Sequence, residues 1–341
     1  MNTVIFFTPH FLPRLGGVEI HVSELSRVLA NRDWKITIVT LQDADSQALI
    51  EKTSNMTIVR VPKTAQNNKV SIWSWIKNYF KTVSADTIIH IHDVGWWCIW
   101  QLLFNRKNNF YITFHGWEGS FPVKWRAKLH RLIISWLVKG SIHVGTFIQN
   151  FYWDKPSAVV FGGVTLPVKA VIQPLSLPTL QIVFLGRLER ENEIELYIKI
   201  LTELVTLGVK PSVTWVGDGT YRTVCEKWGN VTGMVADTKK YVQSADLVFA
   251  NSYLSILESQ AQGKIVCSMY NNELKKDYLK SFPAADLLII SNSAHDAAAE
   301  IKNIASDGEL YKQVSKKNAV FAQDKSWNKV ADVYEKLWRT K

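Results

Sequence analysis

The chain has 341 residues, a formal net charge of +10, and 47% apolar and 21% charged residues. At roughly 100–200 residues per domain this length predicts two domains, and the residue mixture excludes a disordered chain or a collagen-like repeat. Cys98, Cys225 and Cys267 are odd in number, far apart and without a CxxC spacing, which argues against a disulfide framework or zinc ribbon and fits a reducing compartment. The charge is lopsided: residues 1–170 hold 19 Lys+Arg against 10 Asp+Glu, and residues 171–341 hold 21 against 20. Ten of the fourteen tryptophans also fall in the first half, so the two halves are expected to meet different partners.

Met1 to Thr8 has neither a basic region nor a small-residue cleavage site, so no secretory signal is expected. Its run Val4-Ile5-Phe6-Phe7 predicts a strand buried on both faces. Gly16-Gly17 follow, then Val18 to Asn31 with Ile20, Leu25, Val28 and Leu29 at helical spacing, then the β-branched run Lys35 to Leu41. Strand, glycine loop, helix and strand make a βαβ unit and predict a parallel sheet. Further strands are expected at Met56–Val61, Thr87–His92, Phe110–Phe114 and Ser141–Val144. Val94 to Phe104 is the longest apolar stretch, but it contains Gln101 and falls short of the ~20 residues that span a bilayer.

Thr165 to Leu180, with Pro167, Pro174 and Pro178, reads as a linker. A second cycle then starts: strand Gln181–Leu185, Gly186-Arg187, helix Glu193–Leu207, strand Ser212–Val216 and the tight loop Gly217-Asp218-Gly219. Strands follow at Leu247–Ala250, Ile265–Ser268 and Leu287–Ile290. The amphipathic Trp327 to Trp338, with Val330, Val333, Tyr334 and Leu337 on one stripe, comes last. The expected architecture is α/β, two doubly wound Rossmann-like domains facing a central cleft, with ligands beyond the carboxyl ends of the strands. The boundaries are placed at 1–170 and 171–322, with a closing helix in 323–341 packing back toward the first domain.

Several constellations could carry chemistry. Gly16-Gly17-Val18-Glu19 opens a helix, where bare backbone and a positive dipole end suit an anion; the alternative is a plain tight turn. Gly186-Arg187 ends a buried strand, where a guanidinium suits bidentate phosphate capture unless it pairs with Glu189, Glu191 or Glu193. His115, between Phe114 and Gly116 at another strand end, can position hydroxyls or share protons, or simply be structural. His90 and His92 alternate before Asp93 without a third ligand at metal spacing, so no metal is expected. Asp43-Ala44-Asp45 has the spacing of a chelating DxD but lies in a polar loop right after the second strand, and reads as solvated surface. In Val123 to Lys139, Trp125, Leu129, Leu132, Ile133, Trp136 and Leu137 share one helical face and Lys124, Lys128, Arg131 and Lys139 another. Such a helix suits an anionic membrane surface; the alternative is an apolar face packed on the core.

Taken in order, these motifs resemble the family-4 retaining glycosyltransferases of the GT-B fold (glycosyl transferases group 1), over nearly the whole chain. PHFLPRLGGVEIHVSELSRVLANR is similar to the family's opening strand, Gly-Gly-x-Glu loop and helix. HIHD (90–93) and TFHG (113–116) look like its two strand-end signatures. FLGRL (184–188) and VGDGTYR (216–222) resemble its second-domain entry and second glycine loop. SADLVFANS with LESQAQGKIV (244–266) is similar to its donor-binding segment, and SWNKVADVYEKL to its closing helix.

The resemblance implies a hexosyltransferase that takes a UDP- or GDP-linked sugar as co-substrate, with no other cofactor and no metal. Gly16, Gly17, Asn192, Gly217, Gly219, Ser255 and Glu258 would serve the donor, Glu258 through the nucleotide ribose. His115 would meet the transferring sugar and Arg187 the departing diphosphate; Glu19 and His92 would stand on the acceptor side. Lys124, Trp125, Lys128 and Arg131 are the candidate membrane contacts. Two positions depart from the family: Asn192 stands where a lysine is frequent, and Ala250 where the first of two paired glutamates is usual. Arg190, Lys239 and Lys240 are candidate replacements for the lost charge. The implied acceptor is a glycan or lipid-linked saccharide, in cell-surface polysaccharide or glycolipid synthesis. The implied location is cytoplasmic, with the cytoplasmic face of a membrane as a candidate surface. Nucleic acid is not expected, because the basic residues follow amphipathic helices rather than a nucleic-acid module. The alternative is a catalytically degenerate GT-B protein that binds nucleotide sugar or glycan without turnover.

Overall fold

A computed structural model describes residues 2–104, 108–117, 121–165, 170 and 177–339. The chain forms two compact units, Met1–Phe161 with Trp327–Lys341, and Gly162–Ser326. The units thus divide at 161/162 and 326/327, where the sequence places the divisions at 170/171 and 322/323. The expected linker 165–180 lies largely outside the described residues.

In the first unit the elements run β1 (Thr3–Phe7), α1 (Gly17–Ala30), β2 (Lys35–Leu41), β3 (Ile50–Lys52), β4 (Met56–Val61), α2 (Lys69–Tyr79) and β5 (Ile88–His92). They continue with α3 (Ile99–Phe104), β6 (Asn109–Phe114), α4 (Trp125–Leu137), β7 (Gly140–Val144), α5 (Ile148–Phe151) and β8 (Ala158–Val160). The sheet order is β3-β4-β2-β1-β5-β6-β7-β8, parallel throughout except for the short edge strand β3, which runs antiparallel to β4. The continuous apolar run of β1 is buried on both faces, and every residue of β7 is buried too, as a parallel sheet covered by helices demands.

In the second unit come β9 (Thr179–Leu185), α6 (Ile194–Thr206), β10 (Lys210–Val216), α7 (Arg222–Cys225), β11 (Gly229–Gly233), α8 (Lys239–Ser244) and β12 (Leu247–Ala250). Then follow α9 (Tyr253–Ala261), β13 (Ile265–Met269), α10 (Glu273–Lys280), β14 (Ile289–Ser291), α11 (Ala294–Ser306) and α12 (Gly308–Gln323). Its parallel sheet has the order β11-β10-β9-β12-β13-β14 around a core that includes Phe184, Tyr197, Trp215 and Phe249.

The last helix, α13 (Trp327–Arg339), belongs to the first unit, where it packs on α1. Its stripe Val330, Tyr334, Leu337 and Trp338 is buried. Arg32 holds Asp332 and Glu335 at 2.7 Å each, and the Trp34 indole donates to Glu335 at 2.7 Å.

Strand order reverses between β1 and β5 in the first sheet and between β9 and β12 in the second. Open α/β sheets take ligands beyond the carboxyl ends at such switch points. The residues there are Gly16-Gly17 and His92-Asp93 in one unit, and Gly186-Arg187 and Asn251-Ser252 in the other. Sequence periodicity does not reveal β3, β8 or β11: two are three-residue edges, and GNVTG has too few apolar side chains to alternate.

Candidate active site

Four imidazoles gather at the switch point of the first unit. His90 and His92 project from β5, His115 follows β6, and His21 lies one turn into α1. The indole of Trp338 can only donate, and its Nε1 gives a hydrogen bond to His90 Nδ1 at 2.9 Å. That assigns the proton of neutral His90 to Nε2, which donates to Thr113 Oγ1 at 2.7 Å. The direction that leaves no hydroxyl proton unpaired then runs from Thr113 to the Tyr334 hydroxyl (2.8 Å) and from Tyr334 to His21 Nε2 (3.0 Å). A directed chain of buried hydrogen bonds therefore runs from α13 to α1, where His21 keeps its proton on Nδ1.

His115 stands next to this chain. Its Nε2 shares one proton with His92 Nδ1 at 2.8 Å, and its ring meets His21 edge-on with centroids 4.8 Å apart. Its backbone N–H donates to Asp93 Oδ1 at 2.8 Å. Burial lowers the His115 imidazole to about 3 and pushes His21, His90 and His92 well below their ordinary range, each helped by neighbouring imidazoles. All four rings are neutral at pH 7, so His115 offers a substrate hydroxyl a neutral donor or acceptor rather than a cation. Burial raises Asp93 to about 6, against the opposing pull of the His115 N–H and of Arg131.

A Cβ placed on Gly17 or on Gly116 would meet nothing within 4 Å, so both glycines face open space. Gly16 differs: its Cβ would lie 2.4 Å from Glu19 Oε2, because that carboxylate folds back over the start of α1, where a negative charge is favourable. Glu19 itself is buried beside Gly16 at the start of α1. His92 is fully buried, bonded to His115 through Nδ1 and with Nε2 unpaired.

Helix α4 is inverted relative to the arrangement that packs its apolar face on the core. It buries Arg131 and Ile134 and exposes Trp125 (61%), Leu129, Leu132, Ile133 (44%) and Trp136 (83%). Arg131, expected as a membrane contact, is 1% exposed. Its Nη2 donates to the Gly116 carbonyl at 2.8 Å, and its guanidinium stands 4.3 Å from the Phe114 ring centroid and 3.7 Å from that of Tyr152. That expectation is corrected: the buried cation is held by aromatic faces and a carbonyl, so it cannot meet a surface. Lys124 and Trp125 are exposed, and Lys128 is half-buried, 5.9 Å over the Trp153 ring.

In the second unit Gly217 and Gly219, both at φ 156°, are required by the loops themselves. Their Cβ atoms would fall 1.8 Å from the Gly186 carbonyl oxygen and 2.5 Å from that of Leu188. Arg187 is exposed and pairs with Glu191 at 2.9 Å. The Asn192 amide donates to the Arg187 carbonyl at 2.8 Å, so it shapes this turn instead of reaching outward as a lysine would. Ser252 caps α9, and the Ser255 hydroxyl bonds back to it. Glu258 accepts a hydrogen bond from the Thr238 hydroxyl, and burial raises its carboxyl against that bond. Ala250, in place of a glutamate, is fully buried. Among the described residues no group of three or more His, Cys, Asp or Glu side chains is arranged to hold a metal ion.

Sequence reasoning missed Asn251 and Lys275. Asn251 bonds Tyr197, the Met269 N–H and carbonyl, and the Asn192 carbonyl, joining the ends of β12 and β13 to the turn before α6. Lys275 is buried on α10 and donates to the Asn251 carbonyl at 2.8 Å; burial lowers its amine to about 8 against the charges of Glu193 and Glu191. Burial raises Glu193 to about 7, opposed by Lys275 and Arg190. His21, Thr113 and Trp338 were missed as well, since their partners lie far away in sequence.

Residues 15–146 match the family model described as Glycosyltransferase Family 4. Among solved structures the chain is similar to sucrose-phosphate synthase from Thermosynechococcus elongatus, at 16% identity over 99% of this chain and 98% of that one, with a TM-score of 0.78. It is similar to a glycosyltransferase from Rickettsia africae ESF-5 at 15% identity, covering 100% and 99% of the chains, with a TM-score of 0.74. Anabaena Alr3699/HepE, solved in complex with UDP, gives 13% identity over 100% of both chains and a TM-score of 0.71. A comparison with curated protein sequences finds no match. The fold is thus a mixed α/β arrangement of two parallel-sheet domains, that of the GT-B glycosyltransferases. The resemblance to family-4 glycosyltransferases, carried by the motifs, is borne out by the family match within the first unit.

Proposed function

We propose that the protein is a retaining, metal-independent hexosyltransferase using a UDP- or GDP-linked sugar and a glycan or lipid-linked acceptor. The observation that carries this reading is the neutral His115, held against His92 and His21 beside the open space at Gly17 and Gly116. A neutral imidazole can hydrogen-bond a sugar hydroxyl without attracting the donor's phosphates. Arg187 makes an exposed pair with Glu191, a contact worth ~0–1 kcal/mol. A diphosphate offers the guanidinium a denser, bidentate anion, which favours exchange of partners as the leaving group departs. HepE, similar in fold, was solved with UDP, which supports a nucleotide-diphosphate donor.

The inverted helix α4 supports a lipid-associated acceptor. Trp125, Trp136 and Trp153 are exposed on and beside α4, whose start also carries Lys124, Arg126 and Lys128, and such a combination suits an anionic bilayer surface. None of the described helices is long and apolar enough to cross a membrane, so contact would be peripheral. A second reading, donor binding without turnover, draws on Ala250 and on the inward-turned amide of Asn192. Release of nucleoside diphosphate from panels of UDP- and GDP-sugars decides between them. Turnover abolished by His115→Ala and Arg187→Ala supports the enzyme; calorimetric binding without turnover on any acceptor supports the second reading. Full activity in both variants would sink the site assignment.

A further inference from the structure

Helix α4 buries an arginine while leaving Ile133 and Trp136 in solvent, against the hydrophobic preference of every side chain involved. Besides stacking on the Phe114 and Tyr152 rings, the buried guanidinium reaches the turn that carries His115. Two ends of the His115–Gly116 dipeptide are pinned from different elements. Asp93, after β5, accepts the His115 N–H at 2.8 Å, and Arg131, from α4, donates to the Gly116 carbonyl at 2.8 Å. Asp93 sits at φ 62°, a left-handed conformation that Asp and Asn tolerate better than other side chains, so its carboxylate is aimed by a specialised backbone.

We propose that Arg131 and Asp93 are positioning residues that clamp the His115–Gly116 turn and so fix the His115 imidazole in its reacting orientation. The proposal rests on the reading of His115 as the residue that meets the transferring sugar. Neither residue touches substrate; they act through the turn. Among the described residues, the charged and titratable groups that act on Asp93 are His115 from the end of β6, Arg131 from α4 and Tyr334 from α13. Asp154 accepts through Oδ2 from Ser135 at 3.0 Å and His143 at 2.7 Å, and the Arg131 charge helps to hold its carboxyl low.

The test compares the parent chain with Arg131→Met, Arg131→Lys and Asp93→Asn. Amide hydrogen exchange across residues 109–117 is read without any substrate. Arg131→Met should speed exchange of the His115 amide by about tenfold or more while β1 and α1 keep their protection, and Arg131→Lys should recover most of it. With the first UDP- or GDP-sugar that turns over, kcat should fall by about tenfold or more with donor KM within about twofold, the mark of lost orientation. The acid limb of the pH–rate profile, expected near pH 6 from Asp93, should move upward in Arg131→Met and vanish in Asp93→Asn. Unchanged His115 exchange, a KM effect without a kcat effect, or an acid limb that stays in place would overturn the clamp. If Arg131→Met does not fold, Arg131→Lys and Asp93→Asn carry the same measurements. A parent chain with no turnover on any donor counts against the enzymatic reading, and exchange alone then decides whether the clamp exists.

Discussion

Acidification should begin to destabilise the first unit steeply before its carboxylates titrate in the ordinary range. His21, His90, His92 and His115 are all held below the ordinary histidine value of 6.5 by burial. In the unfolded chain each takes up a proton as the pH falls through about 6.5; in the folded chain none does until far lower. A depressed folded pKa means that the stability is fully present above 6.5 and drains as the pH falls. Each histidine contributes about 1.4 kcal/mol per pH unit to that loss. Asp93 works in the opposite sense: raised to about 6 from 3.8, it holds a proton in the folded state between those values that the unfolded chain has released, and so offsets one histidine. Three net protons remain, a slope of roughly 4 kcal/mol per pH unit between pH 6 and 4. Against a total of about 5–15 kcal/mol, two or three pH units exhaust the unit. Urea unfolding at a series of pH values, followed through tryptophan fluorescence and assigned to units by hydrogen exchange, measures the slope. The slope depends on how many imidazoles are buried neutral, not on how far each is shifted. A first unit that loses less than about 1.4 kcal/mol per pH unit would refute the neutral histidine cluster.

Other perturbations test the same geometry from different sides. Tyr334→Phe removes the hydroxyl between Thr113 and His21; leaving two buried groups unpaired should cost the first unit about 2 kcal/mol, and a loss under ~0.5 kcal/mol in denaturant titration would contradict the hydrogen-bonded chain. Gly217→Ala places a Cβ 1.8 Å from the Gly186 carbonyl at φ 156° and should cost about 3 kcal/mol or more in the second unit. Gly17→Ala meets nothing within 4 Å and should leave the melting temperature unchanged, so any rise in donor KM reports on ligand approach at that helix start. Trp136→Glu, at a side chain 83% exposed, should weaken salt-sensitive binding to anionic vesicles without lowering the melting temperature; equal binding by parent and variant, or none by the parent, removes the membrane reading.

The amino-acid sequence by itself determined the strand–glycine–helix cycles, the places where each sheet's loops carry Gly16-Gly17, His115-Gly116 and Gly186-Arg187, and the family resemblance. These are local properties: apolar runs, helical spacing and bare backbone at turns leave their mark within a few residues. Tertiary structure decided everything that depends on a distant partner. His90 becomes a fixed neutral tautomer only because Trp338 donates to it across 248 positions, and His21 joins the cluster through Tyr334, 313 positions away. The face of α4 that turns inward was beyond the sequence, because an amphipathic pattern says that two faces differ and not which one finds a core. Here the aromatic faces of Phe114 and Tyr152 and the Gly116 carbonyl select Arg131 for the interior and leave the tryptophans outside. Asn192 could be read as a missing charge, but its turn toward the Arg187 carbonyl depends on the fold of the loop. Motifs name the residues at a strand end; packing decides which of their atoms remain available for chemistry.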